Sequence, residues 1–539
     1  MSSEPLQTVL TRYIADLTTD ERAWCAHLQA YAVDAFTGVG RSPSPHPVCI
    51  RSELIRILCV VPECSQQISK ASGLQLKQVT ISGPLRLVHA VVEFPLQFHS
   101  CTFSDEINLE FAEIGSLVLS GSSCSTINAD NAKIGGEVRL DAGFRATGPV
   151  TFKGANIEHS FTATGGHFGE GNRAPNAKAI VNLDHARIRS LFLIDGFTAY
   201  GNVRLVGAHI ARQCSLAGGS FQHPCGVAVK ANHARFLGGF QAKVSERTGM
   251  PTHFTGSVDL TGIRCEGQCS FTSAVICGVK ERAFIVKHAT VNGSLVLRDI
   301  STTGTVDLTE STVSRNLILR GKHVSRFLLT NCSTRDLLLE WKELPTGRLE
   351  LTGCSYQNVS MYEKQLDVAG MRRVLTSQAK FDAQPYTMFA RYLFRHGRDN
   401  DARLILLTRE QEHTREGADL SRSRRVLRRF MDITIGYGYA PFRAVLVAIL
   451  IVLMFAGILQ YSAFITPVPD LPVQHILYAL DVFLVPPDLG FAADHSIDPE
   501  GRGYLLIEIL HAFVVLLGWI MTTLFVAALG GLIRFGERI

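Results

Sequence analysis

The chain has 539 residues, of which 46% are hydrophobic and 19% are charged, and its formal net charge is +5. This apolar content excludes wholesale disorder, and the length allows about two to four domains. A net charge this small for the length gives no indication of nucleic-acid binding, so we expect no nucleic acid as a partner.

The chain contains 13 cysteines but no Cys-x-x-Cys pair. This pattern predicts small apolar fillers in a reduced, cytoplasmic protein, and we expect neither a metal nor a cofactor. Cys265 and Cys269 fall at apolar positions of an internal repeat, which favours the same interpretation. The N-terminal region also lacks the basic start and apolar core of a cleavable signal peptide.

Residues 1–72 are predicted to form a helical leader. Apolar residues recur at helical spacing from Leu6 to Leu17, and Ser52 to Val60 suggests a second short helix. Such a leader would cap the open first turn of a repeat stack, and partner binding is its alternative role.

A spaced pattern then occurs nine times: a small residue, an apolar residue two positions later, and a second apolar residue four positions after that. One copy, that of Cys265, has Ile263 in place of the small residue. The first apolar positions are Ile114, Ile134, Ile157, Ile188, Ile210, Phe236, Cys265, Val291 and Val313. The second apolar positions are Val118, Val138, Phe161, Phe192, Cys214, Phe240, Cys269, Leu295 and Leu317. Copies begin 20 to 31 residues apart, a period typical of solenoids.

Within residues 73–360, apolar and polar residues alternate, with Gly and Ser at the corners. Two short strands per 20 to 22 residues predict a parallel β-helix of roughly ten turns. It would be on the order of 50 Å long, because stacked turns lie about 4.8 Å apart.

Four insertions account for the longer copies, at 168–178, 221–226, 244–253 and 275–282. All begin 8 to 11 residues after the first apolar position, so stacking would place them along one edge. They form either a partner-binding face or tolerated surface insertions. The candidate partner-binding residues on or beside them are His167, Arg173, His223, Lys243, Arg247, His253, Lys280 and Arg282.

The pairs Ala112/Ile114, Ala132/Ile134, Ala186/Ile188 and Ala208/Ile210 resemble the motif of pentapeptide-repeat proteins, in which a small residue precedes a core Leu or Phe by two. The resemblance implies a right-handed, four-sided, parallel β-helix over residues 74–356. Here Ile or Val replaces Leu, and the strict pattern follows one face of each turn.

Residues 361–430 are predicted to form a helical cap and a basic segment beside a membrane. A helical hairpin follows Gln384-Pro-Tyr386 and ends near Arg415. The candidate membrane-surface-binding residues come next: Arg422, Arg424, Arg425, Arg428 and Arg429. Arginines beside a membrane span suit anionic lipid head groups, and setting the topology is their alternative role.

Residues 431–539 are predicted to form a two-transmembrane domain. Ala444 to Ile465 and Ala512 to Ile533 are each 22 residues without a formal charge, enough to cross a hydrocarbon core of about 30 Å. Arginines flank the pair of spans, whereas the outer loop, 466–503, is acidic. The positive-inside rule therefore predicts that both termini and the solenoid are cytoplasmic.

Gly436-Tyr-Gly438-Tyr-x-Pro441, Pro487-Asp-Leu-Gly490 and Gly518-Trp-x-x-Thr522 resemble the membrane domain of a bacterial group that joins such a solenoid to two spans. This implies the bacterial inner membrane. Members are sometimes labelled oxidoreductases, but we find neither a dinucleotide-binding glycine motif nor a redox cysteine pair.

The layout of span, apolar stretch and span is also similar to two-transmembrane potassium channels. Val473 to Val485 could enter the bilayer as a pore helix does. Thr434-Ile-Gly-Tyr-Gly438 reads like a potassium filter, but it precedes the first span, whereas a filter follows a pore helix. The candidate intramembrane polar residues are Asp481, Glu508, His511, Thr522 and Thr523. Charged groups at such depth are often functional, whereas paired threonines favour helix packing.

These features predict a membrane-tethered cytoplasmic β-solenoid, a non-catalytic binding or scaffold module with an unknown macromolecular partner. The alternative is an oligomeric, channel-like membrane effector gated by the solenoid, which requires a homo-oligomer because two helices cannot enclose a pore. An enzyme is the third possibility, but the carboxylates form no evident row of paired acids.

Overall fold

The computed structural model divides the chain into two compact units, Met1–Gln378 and Ala379–Ile539. It describes residues 6–14, 16–31, 48–70, 73–170, 179–278, 282–345, 347–361, 367–416, 421–462, 465–466, 472–484, 490, 496–497 and 504–530.

The first unit is a parallel β-solenoid of about 13 turns. Its described strands pair in four parallel ladders, so each turn has four sides, here called A, B, C and D in chain order. Side A contains Val48–Arg51, Val79–Ser82, Thr102–Phe103, Ser123–Cys124, Arg145–Ala146, His167–Phe168, Thr198–Tyr200 and Val275–Cys277. Side B contains Leu85–Arg86, Ile107–Asn108, Ile127–Asn128, Val150–Thr151, Val181–Asn182, Val203–Arg204, Arg282–Ile285, Thr305–Asp307, Arg326–Leu328 and Leu349–Glu350.

The other two sides share several strands that bend around a corner. Side C alone contains Lys133–Ile134, His209–Ile210, Arg235–Phe236, Arg264–Cys265 and Thr290–Val291, and side D alone contains Leu74–Lys77, Val138–Arg139, Cys214–Ser215, Phe240–Gln241 and Cys269–Ser270. Strands that pass from C to D are Val91–His99, Glu113–Val118, Asn156–Thr162, Arg187–Phe192, Ser333–Leu339 and Ser355–Met361. Ser220–Lys230 and His253–Asp259 pass from A to B, Leu295–Thr302 from D to A, and Thr312–His323 from C through D to A.

The prediction that the first apolar positions of the repeat stack is confirmed. All nine are Cα partners in the side C ladder, from Ile114 to Val313, and all are buried. The ladder continues to Val92 at one end and to Thr334 and Tyr356 at the other. Thr334 and Tyr356 are not aliphatic, so the sequence pattern missed the last two turns. Ala90, Val92 and Leu96 do fit the pattern but were left out of the count, and the estimate of ten turns was too low.

Two of the second apolar positions were wrong by one residue. Leu117, and not Val118, is the ladder partner of Val138, and Leu191, and not Phe192, is the partner of Phe161. The corner between sides C and D holds two residues in these turns and three in others. Because two adjacent apolar residues follow each short corner, the sequence alone did not show which one faces inward.

The prediction of two strands per turn was also incomplete, because each turn has four sides. The inward residues of side A vary in size from Ala146 to Phe168, and most strands there are two or three residues long. Such segments are too short to display an alternation. Along this core, the rings of Phe144, Phe168, Phe197, Phe221 and Phe254 form a column with centroids 5.0 to 5.6 Å apart, close to the inter-strand spacing.

Glycines let the backbone of neighbouring turns touch at the C–D corner. Gly238, Gly267 and Gly293 occupy this corner in three successive turns. A Cβ atom added to Gly267 would lie 2.7 Å from the carbonyl oxygen of Gly238. A backbone contact cannot move aside as a flexible side chain can, so these positions require glycine.

We therefore expect Gly267→Ala to lower the free energy of unfolding of the solenoid by about 1–3 kcal/mol, as overpacking does in a close-packed interior. The measurement is the urea dependence of the β-sheet circular dichroism of the full-length protein in detergent. Gly135→Ala is the matched control, because its Cβ would lie 3.9 Å from the nearest atom, the Gly115 carbonyl oxygen. Equal unfolding midpoints for the two variants would contradict the steric explanation.

The described part of the N-terminal leader contains four helices, α1 (Leu6–Leu10), α2 (Thr19–Tyr31), α3 (Ser52–Val60) and α4 (Pro62–Lys70). The predicted helix at Ser52–Val60 is confirmed, whereas the first predicted helix ends at Leu10. Helix α3 packs against the strands Leu85–Arg86 and Val91–His99 of the first turns. The strand Val48–Arg51 begins the side A ladder by pairing with Val79–Ser82.

A buried carboxylate joins the leader to this first strand. Glu21 is buried, and it accepts hydrogen bonds from Arg51 Nε at 2.9 Å and from Arg51 Nη2 at 2.7 Å. It also accepts from the backbone N–H groups of Thr18 and Arg51. Burial alone would raise the pKa of Glu21, but these hydrogen bonds and the guanidinium charge lower it from 4.5 to about 2.

We expect the leader to lose stability as the pH falls from 4.5 towards 2. The folded-state pKa is below the unfolded value, so the stabilisation is complete above pH 4.5 and disappears on protonation. Trp24 fluorescence, in a protein with Trp341 and Trp519 changed to Phe, reports this loosening. In Glu21→Gln the acid step should vanish and the leader should be looser at neutral pH. An unchanged acid step in this variant would assign the effect to other groups.

Helix α5 (Val368–Thr376) follows the last strand. After it, the Gln378 side-chain amide donates to the Leu349 carbonyl at 2.8 Å and accepts from the Leu351 N–H at 3.0 Å. These bonds occupy backbone groups of the last turn that have no following turn to pair with.

The second unit is helical. Its described residues form α6 (Ala383–Arg395), α7 (Asp399–Glu416), α8 (Arg422–Ile435), a short 3₁₀ turn (Gly436–Gly438), α9 (Phe442–Ser462), α10 (Pro472–Phe483) and α11 (Tyr504–Leu529). The strands Ile465–Thr466 and Ser496–Ile497 pair with each other. The predicted hairpin is confirmed as α6 and α7, and Gly397, at φ +68°, separates them.

Helices α9 and α11 are long and apolar enough to cross a membrane. Helix α11 begins at Tyr504, eight residues before the predicted span. The prediction began after Glu508 to avoid its charge, but one charged residue near a helix end does not interrupt the backbone hydrogen bonds. Helix α10 packs between α9 and α11, with Tyr478, Ala479 and Phe483 buried in their shared core.

Candidate functional site

The four insertions do not share one edge. The chain leaves side A at Phe168, Gln222 and Cys277 and next joins side B, so three insertions lie at the A–B corner. The fourth, 244–253, lies between Gln241 on side D and His253 on side A. The prediction of one edge counted residues from the side C position of each turn, but the segments between side C and the insertions differ in length from turn to turn. Arg173 and Lys280 lie outside the described residues.

The 244–253 insertion folds back onto the solenoid. Ser245 Oγ donates to the carboxylate of Asp195, and Arg247 Nε lies 3.1 Å from the same carboxylate. Thr252 Oγ1 donates to the Leu216 carbonyl at 3.0 Å, and Lys243 forms an ion pair with Glu246 at 2.6 Å. Arg247 therefore ties the insertion to Asp195 of the solenoid, and Lys243 pairs with Glu246 of the insertion, so both cations already have a carboxylate partner.

None of the three candidate histidines, His167, His223 and His253, is exposed. Both imidazole nitrogens of His223 are buried, and this burial lowers its pKa. His253 Nδ1 lies 3.3 Å from Thr255 Oγ1, and His167 is half-buried within its strand. Arg282 is exposed. Six of the candidate residues are described. Among them, Arg282 is the one that is exposed and has no ion pair among the described contacts.

A groove of about 460 Å³ lies beside the 275–282 insertion, at the C-terminal end of side A. It exists because the side A ladder ends early: its last pair is Ser301 with His323, whereas side B continues to Leu349 and side C to Tyr356. Its lining consists of Val275, Ile276, Cys277, Ser301, Thr302, Thr303, His323, Val324, Ser325 and Arg348.

The described lining combines hydroxyl groups with two basic side chains, and none of these lining residues is Asp or Glu. Ser325 Oγ donates to the Thr303 carbonyl at 3.1 Å, which ties the two strands of the groove together. The neighbouring insertion was predicted from the sequence, but His323 and Arg348 were not. Their proximity depends on where one ladder stops, and only the shorter spacing of the last copies hinted at this.

The five candidate arginines of α8 have different environments. Arg422, Arg424 and Arg429 are exposed, whereas Arg425 and Arg428 are partly buried. Arg428 Nη1 lies 3.2 Å from Glu410 Oε2 and 2.8 Å from His413 Nδ1, both on α7. Adjacency in the sequence did not distinguish these roles, because helix geometry distributes neighbours over all faces.

A buried polar network connects α7 with its neighbours. Glu410 is buried and accepts from Arg409 Nη2 at 2.7 Å as well as from Arg428. Arg409 Nη1 reaches Thr387 Oγ1 on α6 at 3.1 Å. Burial and the Arg428 charge lower the pKa of His413. The network fixes one face of α8 against the hairpin, since an unpaired buried charge would be costly.

The opposite face of α8 mixes apolar and basic side chains. Val426 is 69% exposed and Ile433 is 65% exposed. Arg422 and Arg429 occupy the same face, because positions i, i+4, i+7 and i+11 of a helix align. Exposed apolar residues between arginines are typical of helices that lie in a membrane interface.

The filter-like sequence Thr434–Gly438 ends α8. Gly436 adopts a left-handed conformation as the C-cap, with φ +55°, and Gly436–Gly438 form the 3₁₀ turn. The Tyr437 ring is buried, and its hydroxyl lies 2.8 Å from Thr414 Oγ1 of α7. The stretch is therefore a helix stop joined to the polar network.

The candidate intramembrane residues are divided among several surroundings. Asp481 is buried on α10, and Glu508 is exposed near the start of α11. His511 Nδ1 lies 3.5 Å from the Tyr478 hydroxyl. Thr523 donates to the Trp519 carbonyl of its own helix at 2.8 Å, as expected for packing. Thr522 lines an apolar groove of about 400 Å³ formed by α9, α10 and α11.

The C-terminal end of α10 touches the middle of α11. A Cβ atom at Gly518 would collide with the Phe483 carbonyl oxygen, so the last turn of α10 lies directly on the α11 backbone. Gly518 is the fifteenth of the 26 residues of α11, and Tyr478, earlier in α10, lies beside the earlier residue His511. Helix α10 therefore runs alongside α11 in the same direction and ends halfway along it.

No model of a known protein family, no curated protein and no solved structure matches this chain. Among the described residues, no group of three or more His, Cys, Asp or Glu side chains could hold a metal ion.

Proposed function

We propose that this chain is a membrane-tethered β-solenoid that acts as a binding or scaffold module. In this proposal α9 and α11 anchor it in the bacterial inner membrane, and the solenoid, with both termini, is in the cytoplasm. The solenoid has the four-sided turns expected of a pentapeptide-repeat-like protein. Its stacked register supplies a long, fixed surface, as in other solenoids that bind macromolecules.

The proposal of a membrane tether is supported by the exposed apolar surface of the two long helices. Leu446 is 68% exposed and Leu450 is 66% exposed on α9, and α11 exposes Leu505, Leu506, Ile509, Phe513 and Leu516. A soluble monomer rarely exposes a contiguous apolar patch larger than a few hundred Å². A bilayer would cover this surface without a polar partner.

Helix α8 supports the same arrangement, because its exposed face suits a membrane interface. Val426 and Ile433 would enter the boundary of head groups and acyl chains, while Arg422 and Arg429 would reach lipid phosphates. Each arginine near an anionic surface contributes about 1 kcal/mol. Arg428 would not take part, because Glu410 and His413 already bind it.

We expect a cysteine at position 496 and the native Cys225 to lie on opposite sides of the membrane. Position 496 belongs to the predicted outer loop, and Cys225 is an exposed cysteine of the solenoid. A membrane-impermeant maleimide should label Ser496→Cys in intact bacterial spheroplasts, and Cys225 only after permeabilisation. Peptide mapping by mass spectrometry separates the two sites.

Cys225→Ser identifies the Cys225 peptide in this experiment, and an alkaline carbonate wash tests whether the protein stays in the bilayer. Labelling of Cys225 in intact spheroplasts would place the solenoid outside the cell. Release of the protein by carbonate would contradict the proposal that α9 and α11 span the membrane.

A second candidate function, an oligomeric channel-like effector gated by the solenoid, is favoured by α10. This helix has 12 residues and is therefore about 18 Å long, too short to cross a hydrocarbon core of about 30 Å. Its end at the midpoint of α11 is the arrangement of a re-entrant helix, whose C-terminal dipole favours cations. A pore would require several copies, because one chain has two spans.

For this candidate we expect Gly518→Leu to reduce potassium flux into protein-containing liposomes about tenfold or more, because the new side chain displaces α10 from α11. Gly457→Leu is the matched control, since a Cβ atom there meets no atom within 4 Å in this structure. Native mass spectrometry should show a tetramer or a larger ring. A monomer or dimer would rule out the pore and leave the tether intact.

A further inference from the structure

We propose that the groove at the end of side A binds a small ligand through a phosphate group. The inference rests on the proposed binding function of the solenoid and names the ligand class of one site. It starts from the early end of the side A ladder, which leaves the space between His323–Ser325 and Arg348 without a strand.

The charge of the groove differs from that of its surroundings. Neighbouring arginines are neutralised by carboxylates: Arg298 by Glu340, Arg320 by Asp299 and Arg326 by Glu350. Within the part of the chain that the structure describes, His323 and Arg348 have no such partner, and both are exposed at the groove. A groove whose described lining offers a guanidinium without a carboxylate partner is complementary to an anion.

The remaining polar groups favour phosphate among anions. Ser301, Thr303 and Ser325 add hydroxyl groups to the guanidinium and imidazole. A phosphate group has several terminal oxygens that accept hydrogen bonds from such different donors at once, and Arg matches its geometry in a bidentate way. A planar carboxylate would use fewer of these donors.

The apolar part of the groove leaves room for the rest of a small molecule. Val275, Ile276 and Val324 form this part, and the volume of about 460 Å³ falls within the usual range of small-molecule sites, about 300–1,000 Å³. The described lining contains no Phe, Tyr or Trp, so His323 offers the one aromatic ring among these residues. Recognition therefore depends on the phosphate.

Cys277 provides a readout that requires no mutation, because it lines the groove and is partly exposed. We would measure its alkylation by iodoacetamide in the full-length protein in detergent, at increasing inorganic phosphate and constant ionic strength. Phosphate should slow the alkylation of Cys277 in a saturable way and leave Cys225, an exposed cysteine elsewhere on the solenoid, unchanged. Equal slowing of both cysteines, or of neither, would overturn the proposal.

Variants then test the residues. Arg348→Ala and His323→Ala should each weaken the protection by phosphate about tenfold, the loss expected for one charge-assisted hydrogen bond. Arg348→Lys should retain part of it, and Arg212→Ala, an exposed arginine outside the groove, should behave like the wild type. Unchanged protection in Arg348→Ala would contradict the assignment, with folding checked by circular dichroism.

Two further probes distinguish the sources of the phosphate. A nucleoside monophosphate should protect Cys277 at lower concentration than inorganic phosphate, because it also fills the apolar part. Protection by a phosphoserine tripeptide alone would replace the small molecule with a phosphorylated protein and overturn this assignment. The topology experiment is independent: its failure would remove the cytoplasmic tether and leave the phosphate result unaffected.

Discussion

The pairing of each turn with the next along four parallel ladders is the constraint on which the solenoid depends. Because the ladders fix the spacing between turns at about 4.8 Å, every insertion must leave and rejoin the stack at a corner. Inward side chains must also fill one layer per turn, as the phenylalanine column of the core does. Where one ladder stops before the others, the layer stays open, and the groove at the end of side A is the consequence.

How much the sequence predicts depends on whether one residue class repeats. The row from Ile114 to Val313 was readable because nearly every copy has a branched or aromatic residue after a small one. Side A was not readable, because Ala, Cys and Phe alternate there in strands of two or three residues. The exchange of Leu117 for Val118 has the same origin, since hydrophobicity cannot order two adjacent apolar residues. The groove could not be predicted from the sequence, because it depends on the turn at which the side A ladder ends.

The arginines of α8 show why composition predicts a site less well than geometry. Five arginines in eight positions suggest one positively charged surface. Arg428, however, contacts Glu410 and His413 and belongs to a buried polar network. That network orients the helix, and the orientation exposes Val426 and Ile433 beside Arg422 and Arg429. A soluble partner of ordinary polarity would leave these apolar side chains in water, whereas a lipid interface accepts both kinds of side chain on one face.

In the proposed membrane arrangement, α10 raises a question of hydrogen bonding that the tether alone does not answer. A helix that ends halfway through a bilayer places its last carbonyl groups where lipid offers no donors. The close contact of Phe483 with Gly518 covers one side of this helix end. The other groups need donors from the residues that follow, from water or from another copy of the chain. A membrane anchor needs only the two spans, so α10 is the element that most directly favours a homo-oligomer.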